Sequence, residues 1–139
     1  MDLRTLDTKA GAEAGFDVPL RHPSTGKLLD GMTIRVHGAD ADIYRDSMIA
    51  RQRARLERQA RNPGVMPALD VIDNMHDEAR ALLVAITIGW QGIELDGAPV
   101  VFSREACDRV YRDFSWVREQ VDAAVHDRAN FLPGSASNS

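Results

Sequence analysis

"FDVPLRHPSTGKLLDGMTIRVHG", residues 16–38, is the stretch whose reading decides the fold class. Phe16, Val18 and Leu20 alternate with polar residues or proline, and Met32, Ile34 and Val36 alternate in the same way. Successive side chains of a strand point to opposite faces, so each set lies on one face of a strand. Pro23 and Gly26 between them are turn residues, and the connection is too long for a tight hairpin. The pattern predicts a small antiparallel pair with a wide loop. Pro19 has no N–H to give to a neighbour, which makes its strand an edge strand.

Outward from this pair the chain reads as helices. Gly38 ends the second strand, Asp40 is a good helix N-cap, and Asp42 suits the positive end of a helix dipole. "ADIYRDSMIARQRARLERQARN" then predicts a long helix stopped by Asn62, Pro63 and Gly64. Its apolar face is thin: Ile43, Tyr44, Met48, Ala50, Ala54 and Leu56. "NPGVMP" reads as a linker. Leu69, Ile72, Met75, Ala79, Leu82, Leu83 and Ile86 recur at steps of three and four, so they predict one apolar helical stripe, with Leu69, Ile72, Leu82, Leu83 and Ile86 expected to be buried. Pro67 suits the first turn of that helix and Gly89 its stop. "GWQGIELDGAPVVFS" reads as a loop with strand-like alternation, in which Asp96-Gly97 suits the turn of a miniature hairpin. Ser103 caps a further helix that bends near Ser115, with Val117, Val121, Ala124 and Val125 as its inner stripe.

The expected fold is therefore α+β, mainly α: a small N-terminal antiparallel β pair followed by a helical bundle. Residues 1–14 have poor periodicity and read as a flexible N-terminal arm with at most one helical turn. Residues 15–132 form the single globular domain, and 133–139 a flexible C-terminal tail, since Pro133 cannot continue a helix and "GSASNS" offers no apolar anchor. Phe131 and Leu132 differ from the tail. An aromatic beside a leucine at a helix end should fold back on the last helix or dock on a neighbour.

With 139 residues, 44% of them hydrophobic, the chain is long enough to bury a core without a staple. A net charge of −4 argues against a protein whose main task is coating nucleic acid, because that affinity comes from neutralising phosphates. One cysteine, Cys107, makes no internal disulfide and fits a reducing compartment. The opening residues lack the apolar stretch of a signal peptide, and "ALLVAITIGW" is too short to span a bilayer, so the cytosol is the expected location.

Chemistry is hard to find in this sequence. His22, His37, His76 and His126 make no helical i, i+4 pair for a metal. His76, Asp77 and Glu78 cluster on a helix, where a solvated polar face is the common outcome. Cys107 shows no base beside it, and a small half-buried side chain is the plainer reading. "STGK" lacks the upstream glycine of a phosphate loop. No catalytic residue, cofactor or metal is expected. The arginines carry more. Arg51, Arg55 and Arg58 fall on one helix face, a stripe suited to an acidic partner or nucleic acid, although no aromatics interleave for stacking on bases and Glu57 breaks the run.

Four stretches in order carry a further signal: "GFDVPLRHPSTGKLL", "IRVHGADADIYR", "WQGIELDGAPVVFSREACDRVYRDFSWVREQVDAAV" and "RANFLPGSASNS". Together, from about Gly15 onward, they resemble the tail assembly chaperones of long-tailed bacteriophages and their prophage copies. The resemblance implies a non-enzymatic protein of the bacterial host cytoplasm, absent from the mature virion. It implies a tape-measure protein as partner, held until tail tube subunits arrive, with the tail tube protein as a further contact. It also implies a soft end to which a frameshift can append an extension. Weak homo-oligomers would let many copies line one long partner. The arginine-rich helix matches no motif of that family. It supports the competing reading, a small nucleic-acid-binding or regulatory module using the helix from Arg51 to Arg61. On either reading Arg51, Arg55, Arg58, Phe131 and Leu132 are the candidate partner-binding residues. An enzyme of unknown chemistry is a third and weaker reading.

Overall fold

The computed structural model describes residues 1–61 and 68–134, the backbone alone for 68–74. Its order is a 3₁₀ turn at Leu3–Leu6, then α1 (Thr8–Ala14), β1 (Phe16–Arg21), β2 (Leu28–Val36), α2 (Asp42–Arg61), α3 (Ala68–Ile86), β3 (Thr87–Gln91), β4 (Glu94–Leu95), β5 (Ala98–Pro99), α4 (Arg104–Asp113), α5 (Ser115–His126) and a closing 3₁₀ turn at Arg128–Phe131. The α+β, mainly helical class holds. The N-terminal order differs in two ways: a helix precedes the strands, and the strand pair is a three-stranded sheet.

β1 and β2 pair antiparallel with Phe16 opposite Val36 and Val18 opposite Ile34. The alternation read from the sequence is the alternation of burial, since Val18, Leu20, Ile34 and Val36 are all buried. β1 is an edge strand, as Pro19 requires. At Arg21 that edge is closed by a side chain. The Arg21 N–H donates to Gln120 Oε1 and Gln120 Nε2 donates to the Arg21 carbonyl, both at 2.9 Å. One amide side chain thus imitates a peptide of a neighbouring strand.

The third strand was hidden inside an apolar run. "ALLVAITIGW" does not stay helical to Gly89: α3 ends at Ile86, and β3 pairs antiparallel with β2, with Ile34 opposite Trp90. Ile86, Thr87 and Ile88 are three β-branched residues in a row, favouring strand over helix. The carbonyls left over at the helix end are taken by side chains. Arg104 donates to the carbonyls of Val84 and Thr87, and Thr87 Oγ1 donates to the Leu83 carbonyl at 2.6 Å. Thr87 is fully buried, and its hydroxyl also bonds Tyr111 Oη at 2.8 Å, so both buried hydroxyls are satisfied.

α3, α4 and α5 cover one face of the sheet. Leu83, Ile86, Cys107, Val110, Tyr111, Val117, Val121 and Val125 meet Val18, Leu20, Ile34 and Val36 in one apolar core. The valine stripe expected for the last helix is α5's buried face. Ser103 caps α4 by accepting from the Ala106 N–H, and the helix breaks at Phe114, beside the expected bend. The β4–β5 hairpin turns on Asp96-Gly97, with φ of 52° and 78°. Positive φ at both turn positions is what an Asp-Gly pair supplies.

The N-terminal arm is corrected by a second, smaller core. Asp7 caps α1, and Ala12 is fully buried against Ala41 and Phe131, with Phe16 and Ile43 beside them. Gly11 and Gly38 permit the close approach. A Cβ on Gly11 would stand 2.0 Å from the Phe131 carbonyl oxygen, and one on Gly38 2.9 Å from Ala12 Cβ. Residues 8–14 are thus a packed helix rather than a loose arm. Of the C-terminal tail, Pro133 and Gly134 form a turn and residues 135–139 lie outside the described residues, as do the expected linker and the caps at Asn62–Gly64 and Pro67.

Asp40 does not cap α2. The Asp42 N–H is taken by Glu13 Oε1 at 2.7 Å, a carboxylate lent by α1. Asp40 instead accepts from Thr8 Oγ1 at 2.6 Å and from the Arg128 fork at 2.9 and 3.0 Å, tying both ends of the described chain to one carboxylate. The Arg128 and Thr8 hydrogen bonds lower its pKa from 3.8 to about 2. A carboxylate with a depressed folded-state pKa stabilises above its unfolded pKa and loses that contribution as pH falls through the folded value. Asp40→Asn should cost about 1–2 kcal/mol at neutral pH, a figure discounted for the solvent around Arg128. Urea denaturation at stepped pH checks it: the gap between the two proteins should narrow from pH 4 towards pH 2. A gap that is constant with pH would assign the cost to something other than the charge.

Candidate protein-binding site

α2 buries no residue. It leaves the body beside Tyr44, whose hydroxyl lies 3.0 Å from His126 Nε2, and runs against α3. At 20 residues it is roughly 30 Å long. Among the described residues a polar clamp joins it to α3. Arg55 and Arg58 each donate to Glu78 at 2.6 Å, one to each carboxylate oxygen. The Glu78 side chain is only 16% exposed. The Arg55 hydrogen bond holds its carboxyl below the ordinary carboxylate range; burial opposes this and Arg58 adds to it. The expected polar face at His76–Glu78 is thus partly a clamp: Glu78 joins two helices and Asp77 pairs with Arg80, while His76 is exposed.

Above this clamp lies an open groove of about 590 Å³, lined by Arg45, Met48, Ile49, Arg51, Gln52 and Arg55 from α2 and by Met75, Glu78, Ala79 and Leu82 from α3. Met48, Ile49 and Met75 are 51%, 40% and 60% exposed. The apolar stripe of α3 is therefore graded, and Leu82, expected to be buried, is only half-buried. Leu83 and Ile86 enter the core, Leu82 is half-buried in the groove and Met75 is open to solvent. Leu69 and Ile72 lie outside the described side chains. The physical reason is the thin apolar face of α2, too narrow to cover the stripe it faces.

The five candidate residues separate. Arg51 and Arg55 line the groove, and Arg58 stands beside it on Glu78. Arg51 Nε is buried with no hydrogen-bond partner among the described residues. Phe131 is 3% exposed and edge-on to Phe16, with ring centres 6.0 Å apart, so its side chain is used inside the fold. Leu132 is half-buried beside it. The apolar floor of Met48, Ile49, Met75 and Leu82 was visible in the sequence only as two separate helix patterns.

Elsewhere the chemistry is muted. Cys107 is fully buried rather than half-buried, and burial pushes its thiol pKa up, away from the reactive thiolate. Burial likewise raises Tyr111. Among the described residues no group of three His, Cys, Asp or Glu side chains is placed to hold a metal, and no helix is long and apolar enough to cross a membrane. No family model, curated protein or solved structure matches this chain.

Proposed function

We propose that this protein is a non-enzymatic assembly chaperone of the phage tail type, which holds a helical segment of a tape-measure protein in the groove between α2 and α3. The observation that supports it is the pair of solvent-facing methionines that face each other's helices, Met48 beside Ile49 on α2, which buries no residue, and Met75 on α3. Between them α2 and α3 leave an apolar trough, the shape that takes the apolar face of a third helix. Methionine suits this task because its unbranched, polarizable side chain adapts to different partner surfaces. A long helical, apolar partner needs such cover until a tube encloses it. The sequence resemblance supplies the identity of that partner, and the groove supplies a means of holding it.

Co-expression with the candidate tape-measure protein tests the reading. It should be retained on the tagged chaperone and gain solubility from it. If it is neither retained nor made more soluble, the tail-assembly reading fails.

A further inference from the structure

The groove is not charge-neutral. α2 contains six arginines (45, 51, 53, 55, 58 and 61) against Asp42, Asp46 and Glu57, a net of +3 in a chain whose total is −4. The remainder therefore sums to −7. Within the groove the positive side chains are Arg45, Arg51 and Arg55, and the one carboxylate, Glu78, is engaged by Arg55 and Arg58. Among the described residues Arg45 has only a 4.0 Å contact to Asp46, with both side chains largely exposed. Arg51 has a buried Nε with no hydrogen-bond partner among the described residues.

We propose that the α2–α3 groove selects an acidic amphipathic helix, with apolar side chains on Met48, Ile49, Met75 and Leu82 and a carboxylate on Arg51. This rests on the groove being the binding surface and adds the chemistry of its partner. The lining from Arg45 to Arg55 spans about three helical turns, enough for anchors at i, i+3 or i+4, and i+7. The Arg51 guanidinium, at the groove lining, carries a charge that no carboxylate among the described residues engages, and a guanidinium donates strong charge-assisted hydrogen bonds to a carboxylate. A second copy of this chain is a poor occupant, because two-fold pairing of this face would set two arginine-bearing grooves of like charge against each other. Nucleic acid is a poor one as well: the floor is thioether and aliphatic, with no aromatic ring among its lining residues to stack on a base.

The test uses the full-length chain and fluorescent helical peptides of about four turns, read by anisotropy. One peptide carries leucines at the anchor spacing with glutamates flanking them, and its twin carries lysines instead. A third keeps the glutamates and scrambles the leucines, and a short DNA duplex is the fourth probe. The acidic amphipathic peptide should bind about tenfold or more tighter than the lysine twin, and Arg51→Gln should remove most of that margin. Arg51 is partly exposed, so the variant should fold, which a thermal melt verifies. Equal binding of both amphipathic peptides, weakened by Met48→Gln, would overturn the acidic selection while keeping the groove as the site. Binding of the scrambled peptide or the duplex as tight as that of the acidic helix would overturn it in favour of plain charge attraction. If no probe binds, the groove reading falls together with the inference.

Discussion

Phe131→Ala should destabilise the protein by about 3–5 kcal/mol, the range for deleting a buried aromatic from a packed site. The expected fall in Tm is on the order of 10 °C. The size of the effect follows from what the ring touches. Phe131 meets Ala12 of α1, Ala41 at the start of α2, and Phe16 at the start of β1. Three elements lose a shared neighbour at once. The Phe131 carbonyl also lies against Gly11, and its ring against Gly38, where added Cβ atoms would collide. Rigid backbone on two sides limits collapse into the cavity, and an uncollapsed cavity costs most. Truncation after Asn130 should match the substitution, while truncation after Leu132 should leave Tm nearly unchanged. A melt unaffected by Phe131→Ala would show that the small core contributes nothing.

The small core also marks a limit of reading this sequence alone. α1 offers alanine and glycine where a helix usually shows large apolar side chains, so no periodicity announces its buried face. Its partner, Phe131, stands near the opposite end of the chain. By contrast, β1 and β2 were legible because period-2 alternation is a local signal. The Asp96-Gly97 turn and the Ser103 cap were legible because each depends on two to four neighbouring residues. β3 was not. Its apolar residues continue those of α3 without a break, and the group that seals the helix end, Arg104, lies on another helix. Asp40 was misread for a related reason: its residue type suits a cap, but Glu13 from α1 reaches the Asp42 N–H instead.

The candidate site was half legible. The arginine stripe stood out, because Arg51, Arg55 and Arg58 share a face by simple helical spacing. Its engagement did not, because Glu78 lies on the next helix and converts two of the three arginines into an internal clamp. The apolar floor was harder still. Met48 reads as part of a thin face and Met75 as part of an apolar stripe. Only the pairing of α2 with α3 shows that the first is too narrow to cover the second.

Replacing Met48 and Met75 together by glutamine should lower affinity for the helical partner by about 100-fold, roughly tenfold for each anchor removed. Glutamine keeps the length of methionine and its helix propensity, so the change removes apolar character and little else. Both side chains are more than half exposed, and stability should shift by no more than about 0.5 kcal/mol in a thermal or urea melt. This separates a binding surface from a core, since a core substitution would weaken the fold and the binding together. Val101 provides the control. It is 87% exposed and outside the α2–α3 groove, so Val101→Gln removes comparable apolar surface elsewhere and should leave affinity unchanged. A titration of a helical segment of the proposed tape-measure partner against the three proteins decides the matter. Should the double variant bind as tightly as the parent, the partner does not sit between α2 and α3. Should Val101→Gln weaken binding equally, the contact lies across the β5–α4 face and the groove is incidental.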